Sequence, residues 1–264
     1  MPYTIALIQM HVTADKDENL ETAARLIHEA AAGGAKVVCL PEIWNCPYEV
    51  KRFAEYAEPA DGPSAELLGD VARQHDIFVI GGTIPETADD GKVYNASLVF
   101  DPSGALVAKH RKVHLFDVDV EGGIRFKESA FFAPGDHADG TVFDTDFGKM
   151  GLAVCFDVRF PEMFRKMADA GAHLVFLPAA FSMTTGSAHW DILVKSRALD
   201  NQIFIAACSP ARNTAASYIA WGHSCVATPW GEYCAAADAR ETILYATVDR
   251  AYMDKIRAEI PLRR

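Results

Sequence analysis

The chain is short of basic charge, of long apolar runs and of paired cysteine motifs. Its 25 Lys and Arg stand against 36 Asp and Glu, a net charge of −11 over 264 residues. A protein that wraps nucleic acid through its phosphates needs the opposite balance, so no nucleic-acid partner is expected. No stretch approaches the ~20 consecutive apolar residues that span a bilayer. The opening MPYTIALIQM has neither the basic start nor the apolar run of a secretory signal. No membrane partner and a cytoplasmic location are therefore expected. The six cysteines, at 39, 46, 155, 208, 225 and 234, never stand two apart as C-x-x-C, and most lie in apolar runs. That pattern suits reduced thiols better than a disulfide framework. There is no G-x-G-x-x-G, no Walker loop and no G-x-S-x-G. No mixed Cys/His cluster of the zinc type is present, so no bound metal is expected.

What is present is a core-forming chain. Half of it is hydrophobic and 10% aromatic, which excludes a disordered polymer. No linker or low-complexity segment divides it, and a single domain over residues 1–264 is expected. Thr4–Met10 reads as a strand, and Asp17–Ala32 as an amphipathic helix stopped by Gly33-Gly34. Lys36–Leu40 reads as a buried strand closed by Pro41, and Ile77–Gly81 as another. Pro63–His75 reads as a helix with proline at its first position. Val93–Phe100 and Leu106–His110 flank Asp101-Pro102-Ser103-Gly104, a hairpin.

The second half echoes the first. Gly34-Ala35-Lys36-Val37-Val38-Cys39-Leu40-Pro41 resembles Gly171-Ala172-His173-Leu174-Val175-Phe176-Leu177-Pro178, 137 residues on. Ile77-Phe78-Val79 resembles Ile203-Phe204-Ile205. Ser97, Pro102 and Gly104 resemble Ser224, Pro229 and Gly231. Three matches in one order predict two βαβ-containing halves related by pseudo-two-fold symmetry, packed as a four-layer α-β-β-α sandwich of the α/β class. Chemistry is then expected beyond the carboxyl ends of strands, where βα loops converge.

That rule selects Glu42, after strand 36–40; Cys155, expected to end a strand Met150–Cys155; and Lys112, after the hairpin strand. A thiol, a carboxylate and an ammonium on separate strand ends are the parts of a thiol amidohydrolase, in which an ion-paired thiolate attacks a carbonyl carbon. Each also has a plain reading. Cys155 reads equally as a small core residue, Glu42 as a helix cap, Lys112 as part of a solvated charge run with Lys109, His110 and Arg111. Glu128 reads by default as a surface carboxylate. Phe181–Trp190, rich in hydroxyls, is either a pocket-lining loop or a helix start.

Leu40-Pro41-Glu42, Lys112-Val113-His114-Leu115-Phe116 and the Cys155 segment, in this order and spacing, resemble the nitrilase superfamily of carbon–nitrogen hydrolases over essentially the whole chain. The resemblance implies a catalytic set of Glu42, Lys112, Cys155 and Glu128, the α-β-β-α fold, no cofactor, and a homodimer or larger homo-oligomer. Cys-Phe-Asp-Val-Arg-Phe-Pro-Glu resembles the amidase branch. KVHLFDVDV, MTTGSAHW and the segment SPAR to YIAWGHS resemble the omega-amidases, which implies a small-molecule amide substrate of the 2-oxoglutaramate or 2-oxosuccinamate type. The residue after the thiol is Phe156 where tyrosine is common; only its backbone N–H is needed for an oxyanion. Phe181 and Thr185 are expected to line the substrate pocket. Arg159 is expected either to bind the substrate's remote carboxylate through its planar fork or to pair with Glu162 or Asp157.

Overall fold

A computed structural model describes residues 1–262; the last two positions of the expected 1–264 domain lie outside the described residues. The first half runs β1 (Tyr3–Gln9), α1 (Lys16–Ala32), β2 (Val37–Cys39), α2 (Phe53–Tyr56), α3 (Pro63–His75), β3 (Phe78–Ile80), β4 (Ile84–Thr87), β5 (Val93–Phe100) and β6 (Leu106–Arg111). A two-stranded flap follows, β7 (Asp117–Asp119) and β8 (Arg125–Lys127). The second half runs β9 (Thr141–Thr145), β10 (Gly148–Leu152), α4 (Pro161–Asp169), β11 (Leu174–Pro178), α5 (Met183–Asn201), β12 (Phe204–Cys208), β13 (Cys225–Ala227) and β14 (Tyr233–Ala236), and the chain ends on β15 (Thr242–Val248) and α6 (Arg250–Glu259).

The repeat is a repeat of topology. In one sheet β1, β2 and β3 are parallel and β5 lies antiparallel beside β3; in the other β10, β11 and β12 are parallel and β13 lies antiparallel beside β12. Helices α1 and α3 occupy the crossovers of the first sheet, α4 and α5 those of the second. Strand β15 returns to pair antiparallel with β1 over seven residues, so the end of the chain closes the first sheet.

Alternation along β1 shows why the layers form. Ile5 and Leu7 point into a core shared with Phe176, Ile205 and Ala207 of the second sheet. Ala6 and Ile8, on the opposite face, pack with Leu26, Ile27, Leu68 and Ala72 of α1 and α3. Successive strand side chains face opposite ways, so one apolar run serves both layers. The Cys208 thiol donates to the Ile8 carbonyl at 3.4 Å and lies 3.3 Å from that of Cys39, joining the two sheets.

One local expectation is corrected and one open alternative is decided. The second-half strand stops at Leu152, and Cys155 opens a 3₁₀ turn over Cys155–Arg159 with a left-handed φ of 46°. A strand cannot continue through that backbone conformation. The hydroxyl-rich segment is a helix start: Ser182 caps α5 by accepting from Thr185 N at 3.3 Å, as N-cap serines do. Among the described residues, no helix is long and apolar enough to cross a membrane.

Candidate active site

Four segments meet where the two halves face each other. Leu40 and Pro41 carry the chain out of β2 and place Glu42 in the interior, fully buried. Its Oε2 accepts from the Ala180 backbone N–H at 2.7 Å, just past β11. Its Oε1 accepts from Lys112 Nζ at 2.8 Å, from Asn95 Nδ2 at 2.9 Å and from the Tyr48 hydroxyl at 3.3 Å.

Lys112 is fully buried, so the solvated-run reading fails for it, while Lys109 and Arg111 turn to Glu86. The backbone of Lys112 is held by Asn95 O and Gly135 N, at 2.8 and 2.9 Å. Its ammonium also meets Glu128 Oε2 at 2.8 Å. Glu128 is no surface carboxylate: it is fully buried, and its Oε2 accepts from Phe116 N at 2.6 Å.

Burial works against the Lys112 charge, but Glu128 and Glu42 more than offset it and hold its pKa well above the usual lysine value. Burial, opposed by Lys112 and reinforced by Glu42, leaves the Glu128 carboxyl above its ordinary range.

The Cys155 thiol is buried close to Glu42. Burial first, then the Glu42 charge, pushes its pKa well above that of a free thiol, and Lys112 only partly opposes them. Two carboxylates and one ammonium surround the sulfur, and together with burial they favour the neutral thiol over the thiolate.

Cys155 also lines a narrow crevice with Phe116, Phe156, Arg159, Phe181 and Thr185. All four residues expected to contact substrate are thus brought to the sulfur. The Arg159 guanidinium sits 5.3 Å from the Phe156 ring centre and 5.5 Å from that of Phe181, and its Nη2 lies 3.2 Å from His189 Nδ1. Among the described residues it forms no ion pair with Glu162 or Asp157, and its buried Nε has no hydrogen-bond partner. The Asp157 carboxylate is engaged by His110 and His114 instead. Glu42, Tyr48, Tyr218 and Ala180 border a second cavity of about 60 Å³.

The carbon–nitrogen hydrolase family matches residues 4–258. The chain belongs to this family. An omega-amidase NIT2-B of Xenopus laevis is 50% identical over 262 residues, covering 99% of this chain and 94% of that protein. The crystal structure of Saccharomyces cerevisiae Nit3, a member of branch 10 of the nitrilase superfamily, superposes with a TM-score of 0.92 at 39% identity, covering 100% of this chain and 96% of that one. A mutant amidase from Nesterenkonia sp. AN1, 25% identical with a TM-score of 0.77 over 98% of this chain and 95% of that one, carries the acetamide moiety of fluoroacetamide on its active-site cysteine.

Three parts of this carbon–nitrogen hydrolase were not read from sequence. Asn95 donates from one amide group to both Glu42 and Glu128, each at 2.9 Å. Its signal was an asparagine inside a strand, where that residue is depleted. Tyr48 and Tyr218, stacked with ring centres 4.6 Å apart, wall the Glu42 side. They come from irregular segments with no periodicity to mark them. His110 and His114 stand four apart, a spacing that suggests metal ligands on a helix, but here both bind Asp157. Among the described residues, no group of three or more His, Cys, Asp or Glu could hold a metal ion.

Proposed function

We propose that the chain hydrolyses the terminal amide of small 2-oxo dicarboxylate monoamides, 2-oxoglutaramate and 2-oxosuccinamate, releasing ammonia and the dicarboxylate. One observation carries the chemistry: the thiol of Cys155, the carboxylates of Glu42 and Glu128 and the ammonium of Lys112 converge in one buried cluster. The full-length likeness to omega-amidases carries the substrate class.

Glu42, close to the thiol, takes its proton as sulfur attacks the amide carbon. Lys112 and the Phe156 backbone N–H face the oxyanion of the tetrahedral intermediate. Glu42 returns the proton to the leaving nitrogen, ammonia departs, and a thioester remains on Cys155. Water activated by Glu42 then hydrolyses it. Glu128 and Asn95 hold Lys112 and Glu42 in register. Arg159, with no carboxylate partner of its own and its guanidinium on the cleft wall, binds the remote carboxylate; Phe181 and Thr185 complete the wall. The thiolate supplies the nucleophile, so the reaction calls for no cofactor.

The whole chain works as one domain and as a cytoplasmic homodimer or larger homo-oligomer. Ile192, Leu199 and Trp230, at 66, 48 and 44% exposure, are the apolar side chains favouring self-association. Sedimentation of Ile192→Glu tests that. Ammonia release from 2-oxoglutaramate, glutamine and N-carbamoyl amino acids tests the substrate. Preference for either of the latter would replace this reading with another amidase or a carbamoylase. A silent scaffold would release no ammonia and would carry no acyl adduct on Cys155 by intact-protein mass spectrometry.

A further inference from the structure

The backbone at Cys155 is strained, and something must hold it. A φ of 46° puts a non-glycine residue in the left-handed region, which relaxes unless its surroundings over-determine it. The residue two positions on does this. Asp157 is fully buried, and its Oδ2 accepts from the Val154 backbone N–H at 3.0 Å, closing the turn around Cys155.

The same carboxylate reaches the lysine segment on both sides of Lys112. Its Oδ2 lies 3.2 Å from His110 Nε2. Its Oδ1 accepts from the His114 backbone N–H at 2.9 Å and meets His114 Nδ1 at 2.7 Å. The chain leaves β6 after Arg111, so these bonds grip it two residues before and two residues after Lys112. His110 is anchored from behind by Thr141 Oγ1 at 3.0 Å, and the His114 ring stacks on Phe160 with centres 3.4 Å apart. Four donors on two oxygens saturate the carboxylate, and none of its bonds goes to the reacting atoms.

We propose that Asp157 is a positioning residue, a clamp that holds Cys155 in its left-handed conformation and fixes the distance between its sulfur and the Lys112 ammonium. The proposal rests on Cys155 being the nucleophile. Burial opposes the Asp157 charge, but the histidine bonds more than offset it and hold the carboxyl well below the usual range, so the clamp stays ionised. Asparagine cannot replace it, because its amide nitrogen would face donors.

The test compares Asp157→Asn, His114→Asn and His114→Leu with the unaltered chain. For each, kcat, KM, the melting temperature and the rate of Cys155 alkylation by 2-chloroacetamide are measured per folded molecule. Misplacing reacting groups by about 1 Å costs roughly 10²-fold. Asp157→Asn should therefore lose roughly 10²-fold in both kcat and alkylation while remaining folded. His114→Asn keeps a donor at the Nδ1 position and should retain turnover, while His114→Leu should lose it. A folded Asp157→Asn with unaltered kcat and alkylation overturns the clamp. Equal losses in the two His114 variants also overturn it, and they decide the matter if Asp157→Asn fails to fold. Cys155→Ala is the control: activity there would defeat the site itself, whereas an inactive Cys155→Ala beside a fully active Asp157→Asn defeats only the clamp.

Discussion

The two halves of the chain share a topology and divide the chemistry. The first contributes the charged groups and the amide between them: Glu42 beyond β2, Asn95 within β5 and Lys112 beyond β6, with Glu128 at the end of the flap. The second contributes the Cys155 thiol beyond β10 and, beyond β11, the Ala180 backbone N–H that holds Glu42. The counterpart of Glu42, 137 residues on, is Ala179, a residue with no chemistry to offer. The hairpin β13–β14 places no side chain in the cluster, although β5 places Asn95 there and Lys112 follows directly on β6. Duplicated scaffolding therefore brings two sets of loops face to face, and each set can specialise because the other lies within hydrogen-bonding distance.

The largest expected effect comes from removing the second half's contribution. Cys155→Ala should cut turnover by on the order of 10⁴-fold or more while circular dichroism and melting stay close to the unaltered chain, since little volume is lost. Serine or alanine at Cys39, Cys46, Cys208, Cys225 or Cys234 should leave the chemistry in place. If Cys155→Ala keeps appreciable turnover, the division of labour is wrong.

Next comes the first half's base. Glu42→Gln should lose roughly 10²- to 10⁴-fold, with no acyl adduct accumulating, because acylation and deacylation both need the carboxylate. Glu128→Gln keeps an acceptor and should slow turnover less, with substrate still bound. Equal defects in the two variants, with no bound substrate in either, would remove the distinction between them.

Arg159 sharpens the comparison at the second half's turn. Truncating one partner of a desolvated charge pair costs on the order of 2–5 kcal/mol. At about 1.36 kcal/mol per tenfold, Arg159→Ala should lower kcat/KM for 2-oxoglutaramate by roughly 30- to 5,000-fold. Arg159→Lys should recover part of that. A short aliphatic amide without a carboxylate should react at nearly the unaltered rate; a proportional loss on both substrates would instead make Arg159 a support for the Cys155 turn.

The smallest effect concerns acid stability. The folded Asp157 carboxyl is held well below the usual range, although its burial pushes the other way, so between about pH 4 and pH 2 the unfolded chain binds a proton that the folded chain does not. The stability it contributes is present above the unfolded pKa of about 3.9 and is lost as pH falls toward the depressed folded value. One such group contributes at most about 1.36 kcal/mol per pH unit. Urea midpoints at pH 5 and pH 3 should therefore fall less steeply for Asp157→Asn than for the unaltered chain; parallel slopes would show that the carboxylate is not held down.

Much of the frame was legible beforehand. Pro63–His75 and Val93–Phe100 have the bounds read from sequence, because a proline, a turn and a periodicity are local signals. The end of the strand before Cys155 was not legible. Apolar character continues through Ala153 and Val154, while the side chain of Asp157, acting from outside the strand, turns the backbone. Glu128 was misplaced when read alone because nothing near it in sequence shows that Lys112, Asn95 and Phe116 N enclose it.

By itself the sequence determined the alternation of strands and helices and the doubled topology. Each depends on neighbours within a few residues or on a repeat that can be aligned by eye. Only the tertiary structure decided which charges are buried together, that burial and Glu42 push the Cys155 thiol up, and that Arg159 faces the crevice without a carboxylate partner among the described residues. Those properties depend on desolvation and on distances between residues far apart in the chain, and no local pattern encodes either.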